Sequence, residues 1–240
     1  SRDFSINSIA FLFDKKCLFD PLNGLKDLDI SLLRTHSELN LHNDPLRILR
    51  CFRFVSELNF KIDQKLISFI KKNRDKLSFV AKERMNHEIK KIVKGANALE
   101  ALILIKKFNI FSLDDLYKDS FFLDLQKINY EELNQYEKEK FLPLFFIAQL
   151  LDEISLEKFK FSRAEIAKIK LLRKWFFFLK KKNIDQLNEL DRFLLHQELE
   201  MFLPSFIFHL PQNLHLDWLT RWRDKDDKLF HPSNLLDGNA

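Results

Sequence analysis

The chain has 240 residues, 46% hydrophobic and 31% charged, a balance that excludes a disordered polypeptide and permits one elongated domain or two to four small subdomains. Only 3 Gly and 6 Pro stand beside 26 Phe, which leaves little turn chemistry for a many-stranded sandwich or barrel, while Leu, Lys, Glu and Ile fill long stretches suited to helices. Forty Lys and Arg against 35 Asp and Glu give 40 − 35 = +5, a charge that suits a phosphate-bearing partner and equally a solvated Lys-rich face.

Along the chain, Ile6 to Phe13 and Cys17 to Phe19 are short apolar runs separated by Asp14-Lys15-Lys16 and followed by Asp20-Pro21-Leu22-Asn23-Gly24, the pattern of a hairpin. Asp27-Leu28-Asp29 reads as a turn and strand start. Asn43 is placed to cap a helix, with Asp44 at its positive end and Pro45 in its first turn. Leu46, Leu49, Phe52 and Phe54-Val55 supply its apolar stripe, which ends near Asn59. Further helices are predicted at about Asp63 to Asn73, Ala81 to Lys94 and Ala96 to Lys107, with Gly95 closing the middle one. Short helices follow at Tyr130 to Tyr136, Phe141 to Leu151 and Leu156 to Phe161. Ser162-Arg163-Ala164-Glu165 is a capping box that opens a long helix to about Lys181. A last helical stretch runs from Leu187 to Leu203 and ends at Pro204, and Leu214 to Phe230 adds another carrying Trp218 and Trp222.

Several function classes fall away on these patterns. The longest apolar run, Phe141 to Leu151, is interrupted by Pro143 and Gln149 and is shorter than the roughly 20 residues needed to cross a bilayer, so no membrane partner is expected. Cys17 and Cys51 have no metal-ligand spacing, the seven His are scattered, and no signal peptide is visible, which points to a reduced cytoplasmic setting. Because the first residue is Ser1 and the last follow a turn-like Asp237-Gly238, both ends have the look of cut ends.

The candidate chemistry begins with Asp44 and Arg47. Three apart in a helical first turn, they project to one side, where a carboxylate and a guanidinium can lie beside a nucleobase edge. Adenine and cytosine each present an exocyclic amine beside a ring acceptor, so the carboxylate accepts from the amine and the guanidinium donates to the ring nitrogen or carbonyl. Guanine and uracil present the opposite order and leave a charge unpaired. The plain alternative is an Asp that only complements the helix dipole and an Arg that is surface charge.

Neighbouring motifs decide between these. Arg2-Asp3-Phe4-Ser5-Ile6-Asn7-Ser8-Ile9-Ala10 resembles Arg-Arg-Asp-Phe-Thr-Ile-Asn-Ala, the second motif of class II tRNA nucleotidyltransferases and bacterial poly(A) polymerases. Asp20 to Leu28 resembles that family's Asp-Pro-Phe-Gly-Gly-x-x-Asp-Leu turn, with Leu33-Arg34 where the next strand ends. Asn43-Asp44-Pro45-Leu46-Arg47-Ile48-Leu49-Arg50-Cys51-Phe52-Arg53-Phe54 resembles Glu-Asp-Pro-Leu-Arg-x-Leu-Arg-x-x-Arg-Phe, and Lys82-Glu83-Arg84 to Glu88 resembles its fifth motif. Four motifs in register cover about the first hundred residues.

The resemblance implies a mainly α fold: a short β remnant of a nucleotidyltransferase head over residues 1–33, a helical neck over 34–107, an RNA-binding body over 108–210 and the start of a helical tail over 211–240. It implies an enzyme that adds C and A residues, or A alone, to the 3′ end of tRNA or another RNA, with ATP and CTP as substrates and Mg²⁺ as cofactor. Arg2 and Asp3 would face the ribose and phosphates, Asp44 and Arg47 would template the base, and Arg50 would support the triphosphate or hold the pocket, which Asn7 would also support. Arg84 and Glu88 would brace the templating helix from behind. Lys168, Lys170, Arg173, Lys174 and Lys180 to Lys182 are the candidates for RNA backbone contacts, with a solvated helix face as the alternative. Trp218, Arg221, Trp222 and Arg223 could stack on a base, although helical spacing favours a core role for both Trp.

The departures from the family pattern concern the metal site. The Gly-Gly-x-Val-Arg-Asp loop and the Asp-x-Asp pair that hold magnesium in the family have no counterpart in this sequence, so their ligands are expected upstream and the chain alone is expected not to catalyse transfer. Asn43 stands where the family has Glu, and Asn23 replaces a turn Gly, a position Asn tolerates in the left-handed conformation. A non-catalytic RNA-binding or assembly protein that keeps the helical body of such an enzyme is the rival reading.

Overall fold

The computed structural model describes residues 3–118, 133–181, 187–199, 202–227 and 230–231. The chain folds into two units, Ser1–Lys118 with Ile154–Lys160, and Asp119–Glu153 with Phe161–Ala240. Of the expected helix over Tyr130 to Tyr136, residues 130–132 lie outside the described residues, and Gln135 and Tyr136 are helical.

The first unit opens with a 3-10 turn at Ser5–Ser8 and a hairpin of β1 (Ala10–Leu12) and β2 (Cys17–Phe19), antiparallel with Phe11 opposite Leu18. Asp20 then caps α1 (Gly24–Asp29), its carboxylate accepting the Gly24 and Leu25 N–H at 2.7 and 2.9 Å, while Asn23 takes the left-handed conformation at φ 54°. Gly24 is required by proximity, since a Cβ there would lie 2.4 Å from the Ser5 carbonyl oxygen. The expected turn at Asp27-Leu28-Asp29 is therefore helix, because the Asp20 cap starts a helical turn before the next strand can form. That strand, β3 (Leu32–Leu33), pairs in parallel with β4 (Lys61–Ile62).

The organising element is α3 (Leu46–Leu58), which buries Leu46, Ile48, Leu49, Cys51, Phe52, Val55 and Ser56 and packs against α5 (Lys82–Lys94) and α6 (Ala98–Lys107). Gly95 lets α3 approach, since a Cβ there would stand 2.1 Å from Ser56 Oγ and 2.6 Å from its carbonyl carbon and oxygen. α4 (Gln64–Asn73) is capped by Asp63, whose carboxylate accepts the Lys65 N–H at 3.0 Å. Asn43 does not cap α3. Ser37 caps an extra short helix, α2 (Glu38–Asn43), whose buried Leu41 draws Asn43 into helical geometry and leaves Asp44 as the link to Pro45 and α3.

In the second unit, Asn134 and Glu137 form a capping box on α7 (Gln135–Leu150), which carries Pro143 inside it. α8 (Glu153–Lys158) follows in sequence and from Ile154 onward belongs to the first unit. The predicted capping box on α9 (Arg163–Lys181) is present, with the Glu165 carboxylate accepting the Ser162 N–H at 2.9 Å and Ser162 Oγ accepting the Glu165 N–H at 3.2 Å. α10 (Glu189–Leu199), α11 (Leu203–Ile207) and α12 (His215–Arg223) complete the described helices. Pro204 sits in the first turn of α11, so it begins a helix where an end was expected; a proline needs no N–H partner there. The core is aromatic: Phe141, Phe145, Phe206, Phe208 and Trp218 are fully buried, and Phe145 meets His209 edge to face at 4.8 Å. No described helix is long and apolar enough to cross a membrane.

Candidate functional site

Residues of the sequence motifs form two groups around α3. At one group, the Asp3 carboxylate accepts from Asn7 Nδ2 at 2.7 Å and from Arg50 Nε and Nη2 at 2.6 Å each. Burial pushes the Asp3 carboxyl up, but the Asn7 amide and the Arg50 guanidinium outweigh it and hold the group below the usual carboxylate range. Its side chain is only 6% exposed. The structure thus places Asp3 as a buried anchor that joins the 3-10 turn to α3, with Asn7 and Arg50 as its partners. Arg2 lies outside the described residues.

The second group surrounds the start of α3. Arg84 Nη2 reaches both oxygens of Asp44, at 3.2 and 3.3 Å, and Arg47 Nη1 donates to the Asn40 carbonyl at 3.3 Å. Asp44 and Arg47 are both half-buried on the α2–α3 turn, with the Arg47 N–H donating to the Asp44 carbonyl at 3.1 Å. Glu88 stands one turn beyond Arg84 on α5 and is buried, and it accepts from Arg53 Nη1 at 3.2 and 3.3 Å. Arg53, matched in the same motif but given no role there, is the partner that makes Glu88 a tie between α3 and α5. Its signal lies in the spacing: Arg47, Arg50 and Arg53 recur every third residue, and they engage Asn40, Asp3 and Glu88 in turn.

Beside Asp44 opens a cleft of about 520 Å³, lined by Asn43, Asp44, Pro45, Lys76, Phe79 and Arg84. It offers acceptors, cations and an aromatic face within one space. Ser5 and Arg34 meet at the buried Asp27, to which Ser5 Oγ donates at 2.5 Å and with which Arg34 pairs at 2.8 Å. That cluster fixes α1, and the buried Asp27 is occupied by it. Among the described residues no group of three or more His, Cys, Asp or Glu is placed to hold a metal ion.

On α9 the candidates for RNA contact divide. Lys170 pairs with Glu153 at 3.2 Å, Lys174 with Glu198 at 2.6 Å, and Lys168 stands 5.7 Å from the Phe202 ring centroid. Arg173 differs from the lysines: it is buried, and its guanidinium donates to the Ala148 carbonyl at 2.6 Å and to the Leu151 carbonyl, so it closes the end of α7. The side chains of Lys180 to Lys182 lie outside the described residues. Trp218 is buried against Phe230 at 5.0 Å, in keeping with the core role, and Trp222 meets Phe141 edge to face at 5.5 Å.

Comparison with known proteins gives the same direction. Residues 59–113 match the family model described as the probable RNA and SrmB-binding site of polymerase A. A CC-adding tRNA nucleotidyltransferase of Synechocystis sp. is 25% identical over 266 aligned residues, covering 99% of this chain and 64% of that relative. The fold is shared with a CCA-adding enzyme of Thermotoga maritima complexed with tRNA, at a TM-score of 0.71 and 20% identity over 93% of this chain and 60% of that one. A CCA-adding enzyme in complex with ATP shares it at a TM-score of 0.66 and 20% identity, over 93% of this chain and 59% of that one. The chain therefore spans less than two thirds of the length of these relatives. In sequence the chain is thus similar to tRNA nucleotidyltransferases, and in fold to CCA-adding enzymes.

Proposed function

We propose that this chain is the base-selecting and RNA-holding part of an enzyme that adds C and A residues, or A alone, to RNA 3′ ends, acting on tRNA in the cytoplasm with ATP and CTP as substrates. The observation that supports this most directly is the placement of Asp44 and Arg47 on one turn at the head of α3, with α3 itself tied down by Asp3–Arg50 on one element and Glu88–Arg53 on another. A reader of hydrogen-bond patterns needs a rigid backing, and these ion pairs supply it. Asp44 accepts the amine of adenine or cytosine once it exchanges its Arg84 contact, and Arg47 donates to the neighbouring ring acceptor.

On this reading residues 1–33 continue a nucleotidyltransferase head, 34–107 form the neck, 108–210 the RNA-binding body and 211–240 the start of the tail. Arg2 lies next to the ribose and phosphates, Asp3, Asn7 and Arg50 shape the pocket, and Arg84 and Glu88 set the pose of α3. Lys168, Lys170 and Lys174 contact the RNA backbone. Mg²⁺ would supply the activation of the attacking hydroxyl and the α-phosphate, with ligands contributed from upstream of the second motif, as the resemblance implies.

The test is nucleotide choice. In the enzyme that carries this chain, extension of a tRNA lacking its 3′ end should require CTP or ATP, and Asp44→Ala or Arg47→Ala should lower discrimination against GTP and UTP by at least about tenfold. Unchanged choice in both variants would refute the reading. RNA binding without any nucleotide requirement would favour the non-catalytic, RNA-binding alternative.

A further inference from the structure

Phe79 ends the 3-10 segment Arg74–Phe79 and is 88% exposed, whereas Phe4, Phe52, Phe60, Phe108, Phe111 and Phe159 of the same unit are buried. Phe11 and Phe13, also exposed, face each other edge to face with centroids 5.2 Å apart. Phe79 instead lines the cleft beside Asp44. The volume of that cleft, about 520 Å³, falls within the roughly 300–1,000 Å³ of small-molecule sites and admits a single nucleotide.

The chemistry of the walls selects among occupants. Lys76 and Arg84 bring positive charge, and Lys76 Nζ donates one of its three protons to Asn73 Oδ1 at 2.8 Å, which leaves two for a second acceptor. Asn43 offers both a donor and an acceptor. An apolar peptide would leave these groups unpaired, whereas a nucleotide satisfies them with a phosphate, a ribose and a flat ring for Phe79. Any base has a face to stack, so an aromatic platform holds an end whose identity changes as it grows.

We propose that Phe79 is the stacking platform for the unpaired nucleotide at the RNA 3′ end, with Lys76 on its phosphate, in the cleft next to Asp44. The assignment rests on the reading that the chain holds an RNA 3′ end beside its base reader. It places the nucleotide already attached to the RNA on the α5 side of Asp44 and reserves the α3 side, with Arg47, for the incoming one.

The test is equilibrium binding by fluorescence anisotropy, with no nucleoside triphosphate present, of two 5′-labelled RNA hairpins that differ only in an unpaired 3′ tail. Phe79→Ala should weaken the tailed hairpin about tenfold and the blunt one less than about twofold, and Phe79→Trp should restore the tailed hairpin. Lys76→Ala should weaken the tailed hairpin and reduce its salt slope by about 0.7, the single-strand increment for one phosphate contact. Because the ring is exposed, Phe79→Ala should leave thermal unfolding unchanged, so a loss of binding reports contact and not misfolding. The proposal is overturned if Phe79→Ala binds the tailed hairpin as the wild type does, if both hairpins weaken equally, or if the wild type binds neither. Nucleotide choice is scored separately through Asp44 and Arg47: insensitivity there with a Phe79 effect here would sink the base-reading claim and leave the RNA seat standing.

Discussion

His209 is enclosed in the aromatic core of the second unit, with its Nδ1 3.1 Å from the Ser205 carbonyl and rings of Phe145, Phe176 and Phe206 around it. Burial pushes its pKa down to about 3, and the nearby Arg173 and His215 charges act in the same direction. The folded state therefore refuses a proton that the unfolded chain takes up below about pH 6.5, so this residue's contribution falls as pH drops from 6.5 toward 3 and is constant above. Between pH 7 and pH 5 the loss amounts to about 2 kcal/mol. Urea unfolding at the two pH values should show it, and His209→Gln should remove most of the difference. The buried, ion-paired carboxyls held below their usual range, Asp3, Asp115 and Glu137, lose their contribution only as pH falls through the carboxylate region, below that window. At this scale the sequence was informative about residue type and silent about partners. Asp44 and Arg47 were legible as a pair on one turn, but Arg84 lies 40 positions from Asp44 and Arg50 lies 47 from Asp3, and no local spacing encodes such contacts.

α3 shows how one element gathers a unit. It meets α5 and α6 along most of its surface, and Ser56 Oγ donates to the Ile92 carbonyl at 2.5 Å while the Asn97 N–H donates to the Ser56 carbonyl at 2.8 Å. Gly95 is the point of closest approach. Gly95→Ala should destabilise the chain by about 1–3 kcal/mol, measured by chemical unfolding, because the new methyl meets backbone atoms of Ser56 that cannot rotate away. Ser56→Ala added to it should not restore stability, since the carbonyl carbon and oxygen remain 2.6 Å from the Cβ position. The helices from Asp63 to Lys107 and the start of α9 could be read from caps and apolar spacing, since those signals are local. α2 and the beginning of α11 could not: each is a short helix of five or six residues held by burial of Leu41 or of Phe206 and Ile207, and such burial is decided by the tertiary fold.

For the whole molecule, a net charge of +5 is modest, so the proposed RNA binding would rest on local positive surface and not on the overall field. Binding should weaken with salt in proportion to the phosphates contacted. Lys170→Ala and Lys174→Ala should each lower the slope of log affinity against log salt by about 0.7–0.9 if they touch the backbone, and leave it unchanged if they serve only Glu153 and Glu198. Arg173→Ala should behave differently, destabilising the second unit through the unpaired Ala148 and Leu151 carbonyls without altering the salt slope.

The contact between Arg84 and Asp44 carries a consequence for the order of events. The carboxylate proposed to recognise the base is already held by Arg84, so on that proposal an incoming nucleotide would have to trade places with a guanidinium. Such an exchange sets a threshold: a base that offers Asp44 a well-aimed amine can displace Arg84, and water or a base presenting a carbonyl cannot. Rejection of the wrong nucleotide would then be enforced by a resident competitor, and weakening Arg84 would make the site faster to fill and less able to refuse.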